Sequence, residues 1–426
     1  MAPISVTEQA KRQATPASHS ARARWWRSPW AVAGCVLMAY AIWIAAYLLG
    51  GHDIRDLAVI GTKQLQQSDA SASIQTATSH YIPRDPKGYD GQYAYFIALD
   101  PQNARFYTDF PAYRYTRILY PMLARALAFG QPALIPYTLL LVNWLAIGGG
   151  ALAVALWLRR KGYSPWLALI YAFAFGTLIG LQGDLTEPLA FALVACGVYA
   201  FDFRFAGNER RRIITAAGCF ALAAVTRETT AVFPVVYGAA LLLEDAGGMV
   251  GRSERTRWHS ALRANWWRAA IFLGVALAPL ALYKLALYAW LGSAGVPQQV
   301  RFEILPLAGL VAYWPWNGLR IVEIDVVVLP ALICMGMGLW ALRRGVREAA
   351  LWALLANNLL FVLLLPASSY VDAFASARIG LGVVLGALYC LPLFDRITRR
   401  RLWLVAAISF WLLFVPLQAI GSIVSR

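Results

Sequence analysis

Charged residues and cysteines are both scarce in this chain of 426 residues. Only 14% of the residues are charged and 60% are apolar, a composition typical of proteins that lie in membranes. The five cysteines all fall in apolar stretches, which leaves the polar loops without any: Cys35, Cys196, Cys219, Cys334 and Cys390. The sequence therefore implies no disulfide framework.

The chain also lacks the motifs of several large protein classes. It has no Walker loop, no Rossmann glycine pattern, no Gly-x-Ser-x-Gly elbow and no zinc-type spacing of cysteine and histidine. Heptads and longer internal repeats are absent as well. These absences argue against nucleotide-driven transport, classical hydrolysis and repeat architectures.

Long apolar runs are what the chain has in abundance. Several approach or exceed the roughly 20 residues that a helix needs to cross a bilayer, so we predict an all-α polytopic membrane protein with about 11 spans. The first run follows a basic segment and lacks a small-residue cleavage site, which indicates a retained signal anchor. The predicted spans are 30–49, 133–158, 164–182, 187–203, 213–226, 229–243, 269–291, 320–342, 349–366, 379–394 and 402–421.

The basic residues are concentrated in a few segments between these spans. The segments 1–29, 159–161, 204–212, 244–268, 343–348 and 395–401 together hold 24 basic and 7 acidic residues. Because cytoplasmic loops carry the excess of lysine and arginine, these segments are predicted to be cytoplasmic. The division is then a cytoplasmic tail, 1–29, and one transmembrane domain, 30–426. Topology accounts for the net charge of +16, so no nucleic-acid partner is expected.

One apolar stretch, 213–243, has basic residues on both flanks. A single span cannot place both flanks in the cytoplasm, whereas two short helices that meet at Arg227 and Glu228 can. Charged residues at such a depth are usually functional or paired.

A polar loop of 82 residues, 51–132, follows the first span and is predicted to be extracytoplasmic. Connections this long are usually functional or disordered. It contains Gly88–Ala98, in which Asp90 stands among aromatic residues. Asp90 has two interpretations: a helix N-cap, or the carboxylate of a site that the flanking glycines and the Gln92 amide help to shape.

After Asp90, apolar residues recur at helical spacing. Tyr89, Tyr93, Phe96 and Ile97 fall at i, i+4, i+7 and i+8, which predicts a helix with one apolar face lying in the membrane interface.

A second interfacial helix is predicted from the end of Pro111–Pro121 onward, and this segment carries Arg114 and Arg117. These arginines either extend toward lipid phosphates or bind a phosphate-bearing substrate through their guanidinium groups. The apolar stripe of the helix comprises Ile118, Leu119, Met122, Leu123, Ala126 and Leu127.

Other charged residues on the predicted outer side have two interpretations each. Asp372 and Arg378 occupy one outer loop and either converge on a cavity or, for the arginine, anchor the interface. Glu187 binds sugar hydroxyls or caps a helix, and Glu228 binds substrate or pairs with Arg227.

Glu323 and Asp325 raise the question of a metal. Two carboxylates at this spacing are weak support for a divalent ion, so we predict no cofactor, with a divalent metal possible but unsupported.

Four motifs together resemble those of the GT-C glycosyltransferase superfamily, in particular bacterial members that form cell-surface glycopolymers. They are Gly88–Tyr93, Tyr113–Pro121, Gly183–Glu187 and Thr226–Thr229. More distantly, Asp90 and the aromatic helix after it are similar to the Trp-Asp segment of the GPI-type mannosyltransferases.

The resemblance implies a bacterial inner-membrane glycosyltransferase with its site on the extracytoplasmic face. Its expected partners are a polyprenyl-phosphate-linked sugar donor, a glycan or lipid acceptor and membrane lipid. A catalytic carboxylate is expected in the first outer loop. Asp90 fits its motif better, and Asp53, which closely follows the first span, is the competing candidate.

The mechanism that follows is a single inverting displacement with Asp90 as general base and arginines that hold the departing phosphate. The residues assigned to substrate binding are Tyr89, Gln92, Tyr93, Arg114, Arg117, Glu187, Arg227, Glu228, Asp372 and Arg378. Two alternatives stay open. One is a polyprenyl-linked glycan ligase or polymerase. The other is a lipid or solute transporter or flippase, although the polar groups cluster at one face and no repeats are present.

Overall fold

The computed structural model describes residues 28–66, 69–203, 208–242, 254–295, 303–315, 318–398 and 409–424. The regular elements within these ranges are all helices. Most of the predicted tail, 1–29, and parts of the predicted cytoplasmic segments 204–212, 244–268 and 395–401 lie outside the described residues.

The first half of the chain forms eleven α-helices within the residues that the structure describes. They are α1 Pro29–Leu49, α2 Thr62–Gln66, α3 Ala72–Thr78, α4 Gly91–Leu99, α5 Pro111–Tyr115, α6 Leu119–Leu127, α7 Ile135–Arg160, α8 Leu169–Ala172, α9 Phe175–Gln182, α10 Glu187–Asp202 and α11 Glu209–Thr226. Short 3₁₀ helices cover Ile54–Ala58, Ala104–Tyr107, Pro132–Leu134 and Pro165–Ala168.

The second half continues with nine more in the described ranges. They are α12 Val232–Leu242, α13 Glu254–Leu291, α14 Ala308–Val311, α15 Gly318–Glu323, α16 Leu329–Arg343, α17 Ala349–Asn358, α18 Ala373–Ile379, α19 Leu381–Thr398 and α20 Val415–Val424. Further 3₁₀ helices cover Glu228–Ala231, Ala367–Ser369 and Phe410–Leu412, and π-helical turns cover Ile324–Val328 and Leu359–Leu363.

Several helices are long and apolar enough to cross a membrane. In the described ranges there are four, Pro29–Leu49, Pro132–Arg160, Leu262–Leu291 and Arg320–Arg343, or up to six if two bent helix pairs each form one span. The bent pairs are Pro165–Ala172 with Phe175–Gln182 and Ala373–Ile379 with Leu381–Arg396. The chain is therefore an all-helical protein with helices suited to a membrane.

The long helices pack side by side. In order across the molecule, α1 contacts α7, α7 contacts α10, α10 contacts α11, and α11 contacts α13. On the other side, α17 packs against α16 and α19. Helix α13 presents exposed apolar side chains such as Leu282 and Leu285, which suits contact with lipid.

The polar loop 51–132 folds into short helices around a core to which α7 and α13 also contribute. Ile60, Ile74, Phe96 and Tyr107 are among its buried residues. The prediction that α4 lies in the interface with one apolar face is wrong, because all nine of its residues are buried. Other parts of the loop and α7 pack against this helix, so it has no exposed apolar face.

Helix α6 agrees better with its predicted position. Met122, Leu123 and Leu127 are exposed, while Tyr120 and Ala124 on the opposite face are buried. A short helix that leaves one apolar face uncovered suits the membrane interface.

The predicted interruption between two helices at Arg227 and Glu228 is confirmed. Helix α11 ends at Thr226, and the next helical segment begins at Glu228. Between them Arg227 has an extended backbone, with φ −155° and ψ 118°. This break brings two charged side chains into the protein instead of leaving them along a helix surface.

Candidate active site

Asp90 stands immediately before α4 and lies between two arginines from distant parts of the chain. Its Oδ1 accepts a hydrogen bond of 2.8 Å from Arg114 Nη1, and its Oδ2 accepts one from Arg378 Nη2. The side chain makes no hydrogen bond that caps α4. Asp90 therefore occupies the cap position but uses its carboxylate for the arginines, which favours the second of its two interpretations.

The two glycines beside Asp90 permit this placement. Gly88 has φ +68°, a backbone conformation that side-chain-bearing residues rarely adopt. A Cβ on Gly91 would lie 1.9 Å from the carbonyl oxygen of Gly183, so only glycine lets α4 begin against that turn. The contact joins the motif around Asp90 to the motif that ends at Glu187.

We expect Gly91→Ala to destabilise the fold and separate the two motifs, because backbone, not a flexible side chain, occupies the place of the added methyl group. Overpacking of this kind typically costs about 1–3 kcal/mol. Thermal unfolding of the purified variant measures the effect. Gly149→Ala is the matched control because a Cβ there meets nothing within 4 Å, and equal stability of the two variants would contradict the prediction.

Glu187 links Arg378, which binds Asp90, to a further arginine, Arg227. Its Oε1 lies 3.1 Å from Arg378 Nη1 and 2.9 Å from Arg227 Nη1. All three side chains are buried, and Glu187 is fully inaccessible to solvent. Glu187 lies in the first turn of α10, where a carboxylate could also cap the helix. Its carboxylate pairs instead with side chains from two other segments.

Arg117 and Glu228 form the next ion pair, with 3.1 Å between Nη2 and Oε1. The Arg117 guanidinium also donates to the hydroxyl of Tyr113 and lies over that ring. Arg117 is buried, so the interpretation of this residue as a membrane-surface anchor is wrong. The local pairing of Glu228 predicted with Arg227 is replaced by pairing with Arg117 from the first loop.

Arg114 is held from three sides. Besides Asp90, it donates two hydrogen bonds of 2.7 Å to the carboxylate of Asp109, and its guanidinium lies 4.0 Å from the ring centre of Tyr93. Such a two-point carboxylate pair fixes the plane of the guanidinium.

Formal charges cancel among these side chains, which comprise four arginines, Arg114, Arg117, Arg227 and Arg378, and four carboxylates, Asp90, Asp109, Glu187 and Glu228. We call these eight residues the charged cluster. Burial alone would raise the pKa of Asp90, but the neighbouring arginines, Arg378 first, more than offset it and hold that pKa well below its usual range. Asp90 is therefore ionised at neutral pH.

Three donor atoms of the charged cluster are buried and make no hydrogen bond: Arg227 Nε, Arg227 Nη1 and Arg378 Nε. Arg227 Nη1 lies in the ion pair with Glu187, whereas the two Nε atoms have no partner. Buried polar groups normally form hydrogen bonds, so each unpaired donor needs an explanation. An anion bound beside these arginines would supply the acceptors.

Asp53 lies apart from the charged cluster and has a local role. Its carboxylate caps the 3₁₀ helix Ile54–Ala58 and accepts hydrogen bonds from Arg55, including one of 2.6 Å from Nη2. The hydrogen bonds from Arg55 lower the pKa of Asp53. The structure thus gives Asp53 the capping role that the sequence left open for Asp90.

Gln92 has a local role as well. Its Oε1 accepts a hydrogen bond of 3.0 Å from Gly61 N, and its Nε2 donates to the Lys87 carbonyl oxygen. The oxygen and the nitrogen of the amide therefore both bind backbone groups of the first loop. Gln92 supports the site indirectly, through that backbone.

Tyr89 and Asp372 border a cavity of about 520 Å³ next to the charged cluster. The Tyr89 ring lies 5.1 Å from the guanidinium of Arg378. Asp372 caps α18 by accepting a hydrogen bond of 2.6 Å from Ala375 N, and Arg378 lies in the last turn of the same helix. The two residues predicted to converge on one cavity thus contribute to neighbouring spaces.

Some residues of the site were missed in the sequence. Asp109 holds Arg114, and Asp184, inside the Gly183–Glu187 motif, is fully buried with one carboxylate oxygen unpaired. Burial raises the pKa of Asp184 well above its usual value. A carboxylate within a recognised motif was the available signal for Asp184, whereas nothing in the local sequence marked Asp109.

Metal ligands do not gather in the described part of the chain: no group of three or more His, Cys, Asp or Glu side chains there could hold an ion. No protein-family model, curated protein or solved structure matches the chain.

Proposed function

We propose that this protein is an integral-membrane glycosyltransferase of the GT-C type. It moves a sugar from a polyprenyl-phosphate donor to a cell-envelope glycan or lipid acceptor. The observation that carries the proposal is the pairing of Asp90 with Arg114 and Arg378, next to buried arginine donors without partners. A carboxylate surrounded by guanidinium groups offers both a base and a phosphate-binding surface.

The proposed topology has eleven spans, a cytoplasmic N-terminus and the first loop outside the bacterial plasma membrane. The distribution of basic residues supports this orientation. Several spans would be short, as the 15-residue segments Glu228–Leu242 and Ala349–Leu363 indicate. Short spans are accommodated where the protein surrounds them or the bilayer thins locally.

The donor phosphate binds to the arginines of the charged cluster. The cavity beside Asp90, Arg117 and Arg378 holds only about 20 Å³, room for about one water molecule. Entry of a phosphate group therefore requires the guanidinium groups to turn from carboxylate to phosphate. Unused Nε donors on Arg227 and Arg378 favour that exchange.

Phosphate binding also makes Asp90 a better base. The charged cluster is neutral as it stands, so an added phosphate leaves excess negative charge, and that charge raises the affinity of Asp90 for a proton. The acceptor hydroxyl then attacks the anomeric carbon and gives its proton to Asp90. The bond from that carbon to the phosphate oxygen breaks, and the lipid phosphate leaves with the bonding electrons, which inverts the anomeric centre.

Transfer in reconstituted liposomes tests the function. Purified protein, polyprenyl-phosphate hexoses labelled in the sugar and an extract of envelope glycans are combined, and labelled glycan is expected. If labelled lipid crosses the bilayer and no sugar is transferred, the protein is a flippase and not a glycosyltransferase. Activity only with lipid-diphosphate oligosaccharides would indicate a ligase or polymerase.

Labelling of a cysteine at an exposed loop position tests the topology. Lys87 is exposed and outside the charged cluster, so Lys87→Cys is expected to react with an impermeant maleimide added outside intact cells. Wild-type protein, with its five cysteines, gives the background. Reaction from the cytoplasmic side alone would overturn the proposed orientation.

A further inference from the structure

The cavity of about 520 Å³ is distinct in chemistry from the charged cluster beside it. The first span, the first loop, α9, α18 and α20 all contribute to its wall. Its volume lies in the range of small-molecule binding sites. The C-terminal helix α20 is tied to this wall, since Trp43 Nε1 and His52 Nε2 lie 3.1 Å from the carbonyl oxygens of Ala419 and Ile423.

Carboxylates outnumber cations on the cavity wall. Asp56, Asp85 and Asp372 line it together with Arg84, and Arg84 lies 3.4 Å from Asp56. This excess of negative charge disfavours a phosphate, which the arginine-rich cluster suits far better. The same carboxylates are good acceptors for hydroxyl groups.

Aromatic rings and amides complete the wall. Trp43, Tyr47 and His52 form a continuous stack, with ring centres 5.3 Å and 4.2 Å apart. Gln182 and Gln418 face the cavity as well and hydrogen-bond to each other at 3.0 Å. Aromatic faces pack against the C–H faces of sugar rings, and amides and carboxylates match their hydroxyl groups.

We propose that this cavity binds an uncharged sugar unit, which is the acceptor of the reaction. The assignment to the acceptor rests on the proposed function, whereas binding of an uncharged sugar stands by itself. Tyr89 lines the cavity, contacts Arg378 and directly precedes Asp90, so it stands between the acceptor and the base. Its hydroxyl is buried without a hydrogen-bond partner and can orient an acceptor hydroxyl.

Direct binding measurements separate this inference from catalysis. Saturation-transfer NMR is performed on the protein in nanodiscs with the methyl glycosides of glucose, galactose and mannose, and with glucose 6-phosphate. We expect at least one methyl glycoside to bind and the phosphate to bind more weakly at this site. The double variant Gln182→Leu, Gln418→Leu should weaken sugar binding about tenfold, because each lost hydrogen bond contributes roughly a factor of three.

Two further variants make the result decisive. Gln131→Leu changes an exposed glutamine outside the cavity and should leave binding unchanged. Asp372→Asn keeps a side chain that caps α18 but removes a charge. Weaker sugar binding by this folded variant supports sugar binding in the cavity even if the double variant misfolds. Sugar binding that neither cavity variant weakens, no binding by any methyl glycoside, or stronger binding of glucose 6-phosphate that the cavity variants weaken would overturn the inference. Sugar binding at the cavity without transfer would instead overturn the proposed function and leave a sugar-binding site.

Discussion

Asp90→Asn is expected to reduce sugar transfer by about 10²- to 10⁴-fold, the usual contribution of a general base. Asparagine has nearly the same shape, but its one amide oxygen can accept a hydrogen bond from only one of Arg114 and Arg378, which now bind separate oxygens of Asp90, and it cannot take a proton from the acceptor. Initial rates with a saturating polyprenyl-phosphate sugar in proteoliposomes measure the loss. Since Arg114 keeps its ion pair with Asp109 and Arg378 keeps its ion pair with Glu187, donor binding should change much less than turnover.

Asp53→Asn is the matched control. Asp53 lies in the same loop and also pairs with an arginine, Arg55, but its carboxylate caps a 3₁₀ helix away from the charged cluster. Transfer by this variant should stay within a few-fold of wild type, and unfolding measurements on both variants establish that they fold. Full activity of folded Asp90→Asn, or a large loss with folded Asp53→Asn alone, would show that Asp90 is not the base.

The residues that meet in the charged cluster were largely named from the sequence. Asp90, Glu187 and Arg378 were each selected because a charged residue stood at the predicted outer end of a span or in an outer loop. Charge in an apolar chain is conspicuous, and the positive-inside rule assigns it to one side. These residues can meet because they are predicted to lie on the same side of the membrane. The packing that brings them into contact is seen only in the folded chain.

The partners and the burial of these residues could not be read from the sequence. Periodicity assigned one apolar face to α4, but the loop residues that pack with it, such as Ile60, Ile74 and Tyr107, are scattered along the loop and form no periodic pattern. Likewise, an aspartate before a helix has the same local sequence whether it caps the helix or binds an arginine. Asp53 caps its helix and pairs with the neighbouring Arg55, whereas Asp90 pairs with Arg114 and Arg378, which are 24 and 288 residues away in the sequence.

The cavity wall was harder still to predict. Gln182 and Gln418 are separated by most of the chain, and α20 carries none of the four recognised motifs. In the sequence, these glutamines look like isolated polar residues in apolar helices, and nothing marks them as part of a binding site. Only the packing of the last helix against the first span places them beside Tyr89 and Asp372.

Glu187→Gln should have the largest effect on stability, a loss of about 3–5 kcal/mol in the free energy of unfolding. The substitution removes the charge that lies between Arg227 and Arg378 while both arginines stay buried. Arg378 keeps its contact with Asp90, whereas Arg227 loses its paired carboxylate, so an uncompensated cation is left inside the protein. Denaturant unfolding in detergent micelles, followed by tryptophan fluorescence, measures the change.

Two comparisons identify burial as the cause. Glu348→Gln breaks an ion pair with Arg396 in which both side chains are more than half exposed, and exposed pairs contribute only about 0–1 kcal/mol. Adding Arg227→Met to Glu187→Gln removes the stranded cation and should recover much of the lost stability, since apolar replacement of a buried pair is often neutral. If Glu187→Gln costs no more than Glu348→Gln, water reaches the charged cluster freely. The arginines would then be hydrated in the resting protein, and a phosphate would have to displace that water before it could draw them away from Asp90.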